Sequence, residues 1–270
     1  MNYSLHNHTY RCKHAIGSEK EMLEEGYKQG FQVFGISDHI AYPTKETKYR
    51  MEYEERIPYL ENLKQLKNEY KDKINFYRGY EVEYQSDYDD YLKSLFINDQ
   101  VDYLVLGQHY YNIHKPASYY GGLVSTKEIK NYVDHCIQAM KTGYFLFLAH
   151  PDLFLNNGLS FDENALVQSK RLIQAAIEND VYLEYNAGGI RNGIRDGIDA
   201  TSVSYPRNDF WYLVAKSKAK VVVNPDAHSP EQITDVAYQK AKLNAMTLKL
   251  NVVNEIDFEK YEKRINNIIK

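Results

Sequence analysis

Short apolar runs alternate with amphipathic stretches along the whole chain. Seven of the apolar runs are rich in β-branched, aromatic and leucine residues, have the length of β-strands, and end in polar or turn-forming residues. No internal repeat, low-complexity tract or long linker interrupts them. The predicted strands are NYSLHNH, VFGISDH, INFYRGYEVEY, VDYLVLGQH, YFLFLAHPD, VYLEYNAG and KVVVNPDAH.

Helix signals lie between the predicted strands. Ser18 and Glu21 have the spacing of a capping box ahead of EMLEEGYKQ. Ser229, Pro230 and Gln232 repeat that start signal before ITDVAYQKAKLNAM. The segment SFDENALVQSKRLIQAAIEN has apolar residues three and four positions apart, which is typical of a helix. Alternating strands and helices predict parallel strands joined by crossover helices. About seven such units in 270 residues favour a single barrel-like α/β domain over an open sheet.

Composition and charge narrow the possible partners. Hydrophobic residues make up 43% of the chain and aromatic residues 14%, which is enough for a sizeable core. The formal charge of -4 gives no general attraction to nucleic acid or to an anionic membrane. No apolar run approaches the ~18 residues of a membrane span, so no membrane association is predicted. A small anionic substrate is compatible with this charge, because it needs only a local cationic site.

The two cysteines predict reduced thiols. Cys12 and Cys136 are too few and too far apart for a disulfide framework, and reduced thiols are typical of the cytoplasm. The N-terminal residues are polar and lack the basic region and apolar run of a signal peptide, so we expect a cytoplasmic protein. Cys12 lies between two histidines and could serve as a metal ligand, although a lone buried cysteine is the more common case.

Histidines and acids concentrate at the carboxyl ends of the predicted strands and in the loops that follow them. Seven of the nine histidines lie there, together with two acidic residues. The set is His6, His8, His14, His39, Glu81, His109, His150, Asp226 and His228. In a parallel α/β barrel all carboxyl ends of the strands open onto the same face, so these residues are expected to converge in one pocket. His114 and His135 match no strand end and are predicted to lie at the surface.

These side chains predict a metal site with more than one ion. A catalytic zinc usually has three protein ligands and an open position, so nine donors suit two or three divalent transition metals. Glu81 is the candidate bridging carboxylate. Imidazole-rich sites accept zinc, iron and manganese, and the sequence does not choose among them. Asp38 and Asp152 are candidates for orienting the imidazoles through hydrogen bonds, although either could cap a helix instead.

The chain resembles the polymerase and histidinol phosphatase superfamily, the PHP domain. The matching pieces are HNHT, His14, SDH, GYEVEY, GQH, AHPD and PDAH, which occur in the family's order between residues 6 and 228. Within the superfamily the chain is most similar to the histidinol-phosphate phosphatases. That resemblance implies one PHP-type metallophosphatase domain over residues 1–270, folded as a distorted (β/α)7 barrel with its metal site at the carboxyl ends of the strands.

The resemblance also implies how a trinuclear centre divides its ligands. The first metal would be held by His6, His8, Glu81 and Asp226, the second by Glu81, His109 and His150, and the third by His14, His39 and His228. Pro225 stands where the family often has a serine, which affects the local loop geometry but leaves the ligands intact.

A polynuclear centre of this kind suits the hydrolysis of a phosphate ester. Clustered metals lower the pKa of a bound water, bind phosphoryl oxygens and offset charge on the attacking and leaving oxygens. We therefore predict attack on phosphorus by a metal-bound hydroxide, without a side-chain nucleophile, since the chain has no motif such as G-x-S-x-G. The proton for the leaving alcohol is predicted to come from a metal-bound water, His228 or Asp226.

Arginines near the predicted pocket are candidates for binding the phosphate, because a guanidinium matches two phosphate oxygens. The segment NAGGIRNGIRDG follows the sixth strand and carries Arg191 and Arg195, of which Arg191 better matches the family's phosphate-gripping arginine. Arg207 and Arg11 are weaker candidates. The alternative is a solvated glycine-rich loop with surface arginines. Tyrosines in YYNIHKPASYYGG could line the substrate pocket.

Together these inferences predict hydrolysis of L-histidinol phosphate to L-histidinol and phosphate in histidine biosynthesis, with Asp226, His228 and Arg191 as catalytic residues. Three alternatives remain. The chain could hydrolyse a nucleotide or another small phosphate ester. It could be an amidohydrolase-type C–N hydrolase, although that family usually has a metal-bridging lysine where this chain has His109. It could also be a non-catalytic metal-binding module. A small phosphorylated substrate is the expected partner, long nucleic acid is not, and the sequence leaves the oligomeric state open.

Overall fold

The structure, a computed structural model, describes residues 2–43, 48–195 and 205–270, and the side chains of all of these except Pro116 and Arg195. Seven parallel strands pair in chain order, so each strand lies next to the one that follows it in sequence. All seven predicted strands are present, and most are shorter than predicted because the polar residues at their carboxyl ends lie in the following loops. The strands are β1 (Tyr3–Ser4), β2 (Val33–Ile36), β3 (Asn75–Val82), β4 (Tyr103–Leu106), β5 (Phe145–Leu148), β6 (Tyr182–Asn186) and β7 (Val221–Asn224).

The sheet closes into a nearly complete barrel. Between β7 and β1 the strands meet at a parallel bridge that pairs Asn7 with Ala227. The His8 amide donates to the Ala227 carbonyl at 2.8 Å, and the Ala227 amide donates to the His6 carbonyl at 3.3 Å. The closing contact therefore joins two segments that carry predicted metal ligands. The distorted (β/α)7 barrel implied by the resemblance is confirmed.

Helices follow the strands and cover the sheet. They are α1 (Glu19–Lys28), α2 (Arg56–Glu69), α3 (Asp89–Ile97), α4 (Ile129–Lys141), α5 (Glu163–Glu178), α6 (Ala187–Arg195), α7 (Asn208–Ala215), α8 (Val236–Thr247) and α9 (Phe258–Ile269). Short 3-10 helices occur in the loops, at Tyr10–Cys12, Tyr53–Glu55, Ser86–Tyr88, Pro116–Ser118, Tyr120–Gly122, Thr126–Glu128, Leu153–Leu155 and Pro230–Thr234. Within the described ranges, each helix is too short or too polar to cross a membrane.

The starts of two helices show where local sequence signals predict a helix correctly and where they do not. α1 begins after Ser18, which forms the predicted capping box: its side chain accepts from the Glu21 amide, and Glu21 accepts from the Ser18 amide at 2.7 Å. After Ser229 the prediction was only partly right, because a 3-10 helix begins there and α8 starts later, with Asp235 as its N-cap. The Gln232 side chain does not cap a helix because it accepts a hydrogen bond from a loop amide at 2.8 Å.

Tyr103 of β4 fills the barrel interior. Its hydroxyl donates to the Leu5 carbonyl across the barrel at 2.8 Å. The ring requires glycines beside it, since a Cβ at Gly35 of β2 would lie 2.3 Å from the hydroxyl and one at Gly79 of β3 would lie 2.6 Å from the ring. A tyrosine with a satisfied hydroxyl therefore packs the interior below the face on which the predicted ligands meet.

Candidate metal centre

The carboxyl ends of the strands bring all nine predicted metal ligands together. His6 is fully buried, and its Nε2 lies 3.5 Å from Glu81 Oε1. The other eight line a cavity of about 540 Å³, namely His8, His14, His39, Glu81, His109, His150, Asp226 and His228. This geometry agrees with the convergence expected of a parallel barrel. Metal binding by these side chains stays a prediction.

Glu81, near the end of β3, lies at the centre of the cluster and is 1% exposed. Its Oε1 lies 3.2 Å from His150 Nε2 and 3.6 Å from His109 Nε2. Its Oε2 lies 3.0 Å from His39 Nδ1 and 3.6 Å from His8 Nε2. Burial raises the pKa of Glu81, but the surrounding histidines outweigh burial and hold the pKa well below its usual value. The two oxygens of this charged carboxylate thus face different histidines. A carboxylate that bridges two metals would have this arrangement.

One group of four donors has the spacing of ligands to a single ion. His8 Nε2 lies 3.3 Å from Asp226 Oδ1, and His6 Nε2 lies 3.6 Å from the same oxygen. Donors that are each about 2.1 Å from a tetrahedral ion are about 3.4 Å from one another, so these separations fit one ion shared with Glu81. The Nε2 atoms of His6 and His8 are buried and have no hydrogen-bond partner among the described residues. The residues therefore fit the first metal that the resemblance implies.

The histidines predicted for a third metal form a looser group. The ring centroids of His14 and His228 are 4.8 Å apart, and those of His14 and His39 are 5.3 Å apart. His14 is exposed, and its Nδ1 lies 2.7 Å from the Cys12 carbonyl. The buried Cys12 thiol lies within 4.8 Å of ligand atoms of His14 and His228, and burial raises its pKa to about 12. Ligand atoms of His8, His39 and His228 also lie within 4.8 Å of one another, so the division of ligands between the first and third metals stays a prediction.

Two of the predicted ligands have backbone conformations that residues other than glycine rarely adopt. The φ angle is +32° at His150 and +49° at Asp226, each two residues beyond the end of its strand. Such a conformation costs roughly 1–3 kcal/mol and persists only where the surrounding structure fixes it. Strain of this kind is concentrated at functional sites, which supports a functional role for these two turns.

Two buried carboxylates that were not predicted from the sequence hold histidines of the cluster in place. Glu184 of β6 lies 2.8 Å from His6 Nδ1. Glu83, one residue beyond β3, lies 3.1 Å from His109 Nδ1 and forms an ion pair with Arg50 at 2.9 Å. Burial raises the pKa of Glu83, but Arg50 and His109 outweigh burial and bring it to about 2. The sequence signal for both residues is an acid inside an otherwise largely apolar predicted strand.

Asp38 and Asp152 differ in their relation to the cluster. Asp38 accepts hydrogen bonds from the amide and hydroxyl of Thr9 at 2.8 and 2.6 Å, and lies 3.9 Å from an imidazole nitrogen of the cluster. It therefore fixes the loop after β1, and burial raises its pKa to about 7. Among the described contacts, Asp152 accepts from the Arg207 amide at 2.6 Å and from Trp211 Nε1 at 3.2 Å, and bonds to no predicted ligand. Asp152 thus supports the start of α7.

Arg191 of α6 lines the cavity. Its Nε and Nη2 donate to the two Asp235 oxygens at 2.7 and 3.2 Å. Nη2 also donates to the Gln232 carbonyl at 3.2 Å, and Nη1 donates to the Asp226 carbonyl at 3.1 Å. Because a guanidinium has five N–H groups, these four hydrogen bonds leave one N–H on Nη1 without a partner among the residues that the structure describes. Arg191 is therefore held rigidly at the cavity wall.

The other candidate arginines whose side chains the structure describes, Arg207 and Arg11, do not line the cavity. Arg207 donates to the carboxylate of Asp209 at 2.8 Å and does not line the cavity. Arg11 forms an ion pair with the buried carboxylate of Glu19. Both guanidinium groups are thus bound by nearby acids. The position of the arginines along the chain does not show that these acids are their partners. The side chain of Arg195 lies outside the described residues.

Aromatic residues form part of the cavity wall. Tyr119, from the loop after β4, lines the cavity as predicted for that loop, together with Tyr205 and Leu153. Tyr110 pairs with Tyr119 through an isolated antiparallel bridge, which braces this loop. An apolar and aromatic surface therefore lies beside the metal ligands, on which a flat organic group can pack.

His135 lies in a different environment from the one predicted. It is half-buried on α4, with the rings of Tyr111 and Tyr120 edge-on to it at centroid distances of 6.1 and 6.3 Å. Its predicted surface position was therefore wrong, because the loop after β4 folds back over α4. These two tyrosines pack on His135 and do not line the cavity. His114 is exposed, as predicted.

Comparison with known families matches the PHP domain over residues 4–188, more than half of the chain. That span contains all of the predicted ligands except Asp226 and His228. The chain belongs to the PHP domain family. The family resemblance predicted from the spaced histidine motifs is thus confirmed.

Two relatives of this PHP domain have the same name, which refers to one activity. A protein from Schizosaccharomyces pombe named "Probable histidinol-phosphatase" is 25% identical over 259 residues, which cover 86% of this chain and 82% of that protein. A protein of the same name from Deinococcus radiodurans is 22% identical over 239 residues, 84% of this chain and 86% of that protein.

A solved structure shares the fold of this PHP domain. It is the histidinol phosphate phosphatase of Lactococcus lactis in complex with zinc, L-histidinol and phosphate. The two structures superimpose with a TM-score of 0.71 at 13% sequence identity, over 93% of this chain and 95% of the other. At this identity the likeness establishes the common barrel fold.

Proposed function

We propose that this PHP domain hydrolyses L-histidinol phosphate to L-histidinol and phosphate, a step of histidine biosynthesis. The observation that carries the proposal is the convergence of eight predicted metal ligands around a ninth, Glu81, at a cavity with Arg191 in its wall. The names of the two relatives and the ligands of the Lactococcus lactis structure support this substrate. Cys12 and Cys136 are both free and buried, which supports the predicted cytoplasmic location.

The cluster fits two or three divalent metals. Buried imidazole nitrogens without partners, arranged around a charged carboxylate, are a donor set that zinc, iron or manganese satisfies. Such metals, when bound, lower the pKa of a water molecule and offset negative charge on the phosphoryl oxygens. We assign the ligands as the family resemblance implies. The first metal takes His6, His8, Glu81 and Asp226, the second Glu81, His109 and His150, and the third His14, His39 and His228.

Arg191 fixes the phosphate in this proposal. Asp235 holds the guanidinium by two hydrogen bonds, and the N–H on Nη1 that has no partner in the described part of the chain is directed to a phosphoryl oxygen in this proposal. A side chain that is already held loses little conformational entropy when the substrate binds. Its planar guanidinium also matches the geometry of phosphoryl oxygens.

Asp226 and His228 lie in the loop after β7 and are both assigned to metal binding in this proposal. Asp226 Oδ1 is shared with His6 and His8, which assigns Asp226 to the first metal. His228 is half-buried, and its Nδ1 lies 3.2 Å from the Asp226 carbonyl. A hydrogen bond from Nδ1 to that carbonyl orients the ring and leaves the lone pair of Nε2 for the third metal.

The organic part of the substrate occupies the remaining cavity. Tyr119, Tyr205 and Leu153 form the wall on which the imidazole ring of histidinol packs. A volume of about 540 Å³ lies within the range of small-molecule sites. A nucleotide also fits this volume, so the assay must compare the two substrate classes.

The first experiment measures phosphate release from L-histidinol phosphate by protein reconstituted separately with zinc, manganese and iron. A panel of nucleoside monophosphates and a chelated sample are run beside it. We expect turnover that the chelator abolishes and that is selective for histidinol phosphate. Turnover of a nucleotide without turnover of histidinol phosphate would retain the metal centre and refute the substrate.

A further inference from the structure

Strand β6 carries a fully buried carboxylate, Glu184, with all of its acceptor capacity in use. Oε1 accepts from Asn224 Nδ2 at 3.0 Å and lies 2.8 Å from His6 Nδ1. Oε2 accepts from Asn186 Nδ2 at 2.7 Å and from the His150 amide at 3.2 Å. Burial of a carboxylate costs several kcal/mol unless hydrogen bonds compensate, and four donors from four different segments do so here.

We propose that Glu184 is a positioning residue that sets the tautomer of His6 and joins three metal ligands into one unit. The inference rests on the proposed metal centre. A carboxylate only accepts hydrogen bonds, so the proton of a neutral His6 ring lies on Nδ1 and the lone pair lies on Nε2. That Nε2 lone pair faces Glu81 Oε1 at 3.5 Å and Asp226 Oδ1 at 3.6 Å. Two oxygen acceptors and one lone pair directed at the same space define a cation site.

Asn186 links Glu184 to Asp226 and so fixes the position of Asp226 as well. Its Nδ2 donates to Glu184 and, at 3.2 Å, to Asp226 Oδ2, while its Oδ1 accepts from the Gly188 amide at 2.6 Å. The orientation of the amide follows from these partners, because carboxylates only accept and a backbone amide only donates. A Cβ at Gly188 would lie 2.5 Å from Asp226 Oδ2, so glycine permits this close approach.

The third ligand, His150, is held through its backbone. Its amide donates to Glu184 Oε2, and its φ angle of +32° is one that this hydrogen bond helps to maintain. Glu184 therefore contacts ligands assigned to both the first and the second metal. Its loss is expected to weaken more than one metal site.

The test is the substitution Glu184→Gln. Glutamine has the same size but one oxygen and one NH2 group, so the NH2 must face two of the four donors. If it faces His6, the ring must accept at Nδ1, and its proton moves to Nε2, where it blocks a metal. If it faces the His150 amide and Asn186, two buried donors lose their acceptor. In either case we expect metal affinity about 10–100-fold lower, measured by titration with Zn²⁺ and with Co²⁺.

Glu19→Gln is the matched control, because Glu19 is 1% exposed, pairs with Arg11 and contacts no histidine of the cluster. The control is expected to keep the affinity of the native protein for both metals. An equal loss of affinity in both variants would mean that removal of any buried charge loosens the barrel, and would refute a specific role for Glu184.

A second measurement does not depend on whether Glu184→Gln folds. In zinc-loaded native protein labelled with [15N]histidine, the His6 ring is expected to carry its proton on Nδ1, with assignment from the signal missing in His6→Ala. A His6 ring with no proton on Nδ1 would overturn the inference. Neither measurement uses substrate, so failure of phosphate release with a retained metal and tautomer effect would refute the proposed function alone. Active enzyme with unchanged metal affinity in Glu184→Gln would refute the positioning role alone.

Discussion

At the scale of single residues, Gly107 shows how a residue without functional groups fixes one that has them. It lies in the loop after β4, where a Cβ would be 2.1 Å from Glu81 Oε1. The backbone therefore packs directly against the central carboxylate, which only glycine allows. Any larger residue must displace Glu81 from the position in which its oxygens face the histidines.

Gly107→Ala is therefore expected to lower metal retention and phosphate release by roughly 10–100-fold, an effect comparable with loss of a hydrogen-bonding partner of a ligand. Metal content per chain after dialysis and the rate of phosphate release are the measurements. Gly122→Ala is the control, since a Cβ there would be 3.7 Å from its nearest neighbour, an ordinary contact. Full metal retention by Gly107→Ala would show that Glu81 does not hold the metals in this position.

Arg191→Lys tests the phosphate contact. Lysine keeps the charge but loses the planar fork, so the Asp235 anchor and the remaining Nη1 donor are both lost. We expect KM for histidinol phosphate to rise about tenfold or more, which corresponds to ~1.4 kcal/mol or more of binding energy, with unchanged metal content. Arg171→Lys, at an exposed pair with Asp134, serves as the control. Loss of metal would instead assign Arg191 to support of the Asp226 loop.

The predictability of residues in this site depends on where they lie along the chain. His39, His109 and His150 interrupt the apolar pattern just where a strand ends, and parallel strands end on one face. Glu83 and Glu184 lie within predicted strand runs, where the sequence does not show which neighbour receives the carboxylate. Their partners come from other strands and loops, so only packing identifies them.

At the scale of elements, the end of β3 connects three segments of the barrel. Glu81 belongs to the cluster of predicted metal ligands. Glu83, two residues later, bonds to His109 in the loop after β4 and to Arg50 in the segment before α2. The Arg50 interaction is bidentate, at 2.9 and 3.3 Å, and both partners are buried. This ion pair therefore ties the loops that surround the cluster to one strand.

The Glu83 ion pair predicts a pH dependence of stability. The pKa of Glu83 falls from 4.5 to about 2 on folding, so its contribution is complete above pH 4.5 and is lost as the pH falls towards 2. At 1.36 kcal/mol per pKa unit, the contribution is roughly 3 kcal/mol. Urea unfolding of metal-free native protein and of Glu83→Gln is expected to show a difference in unfolding free energy that shrinks between pH 5 and 2.5. A pH-independent difference would contradict the ion pair.

Elements were predicted well where their signals are local. The alternation of apolar runs with amphipathic segments predicted all seven strands, and a capping box predicted the start of α1. The start of α8 was misplaced because Gln232 is used by the backbone of the metal-site loop and Asp235 caps the helix instead. That choice depends on a contact between distant segments, which a local signal does not contain.

At the scale of the whole molecule, the cluster of predicted metal ligands connects most strands of the barrel. Six strands or their following loops supply predicted ligands, and β6 supplies Glu184. The closing bridge between Asn7 and Ala227 lies directly beside His6, His8 and Asp226. Bound metals would therefore cross-link segments that are far apart in sequence, and would stabilise the closure of the barrel.

Metal removal is accordingly expected to lower the melting temperature. Ligand at about 100 times its dissociation constant contributes ~2.7 kcal/mol, which for a chain of this size corresponds to a shift of roughly 5–10 °C. Thermal unfolding of the zinc-reconstituted protein, with and without chelator, measures the shift. His6→Ala is expected to show a smaller shift. Equal melting temperatures with and without metal would indicate that the metals do not bridge the strands.

The sequence by itself determined the order of the strands, the barrel class and the set of predicted metal ligands. These features follow from periodicity, caps and strand ends, which are properties of short segments. The tertiary structure decided which arginine lies in the cavity wall, which carboxylates orient His6 and His109, and how β7 meets β1. Those outcomes depend on competition among partners from distant segments, such as Asp235 for Arg191 and Glu184 for His6. Only packing brings the competitors within hydrogen-bonding distance and selects among them.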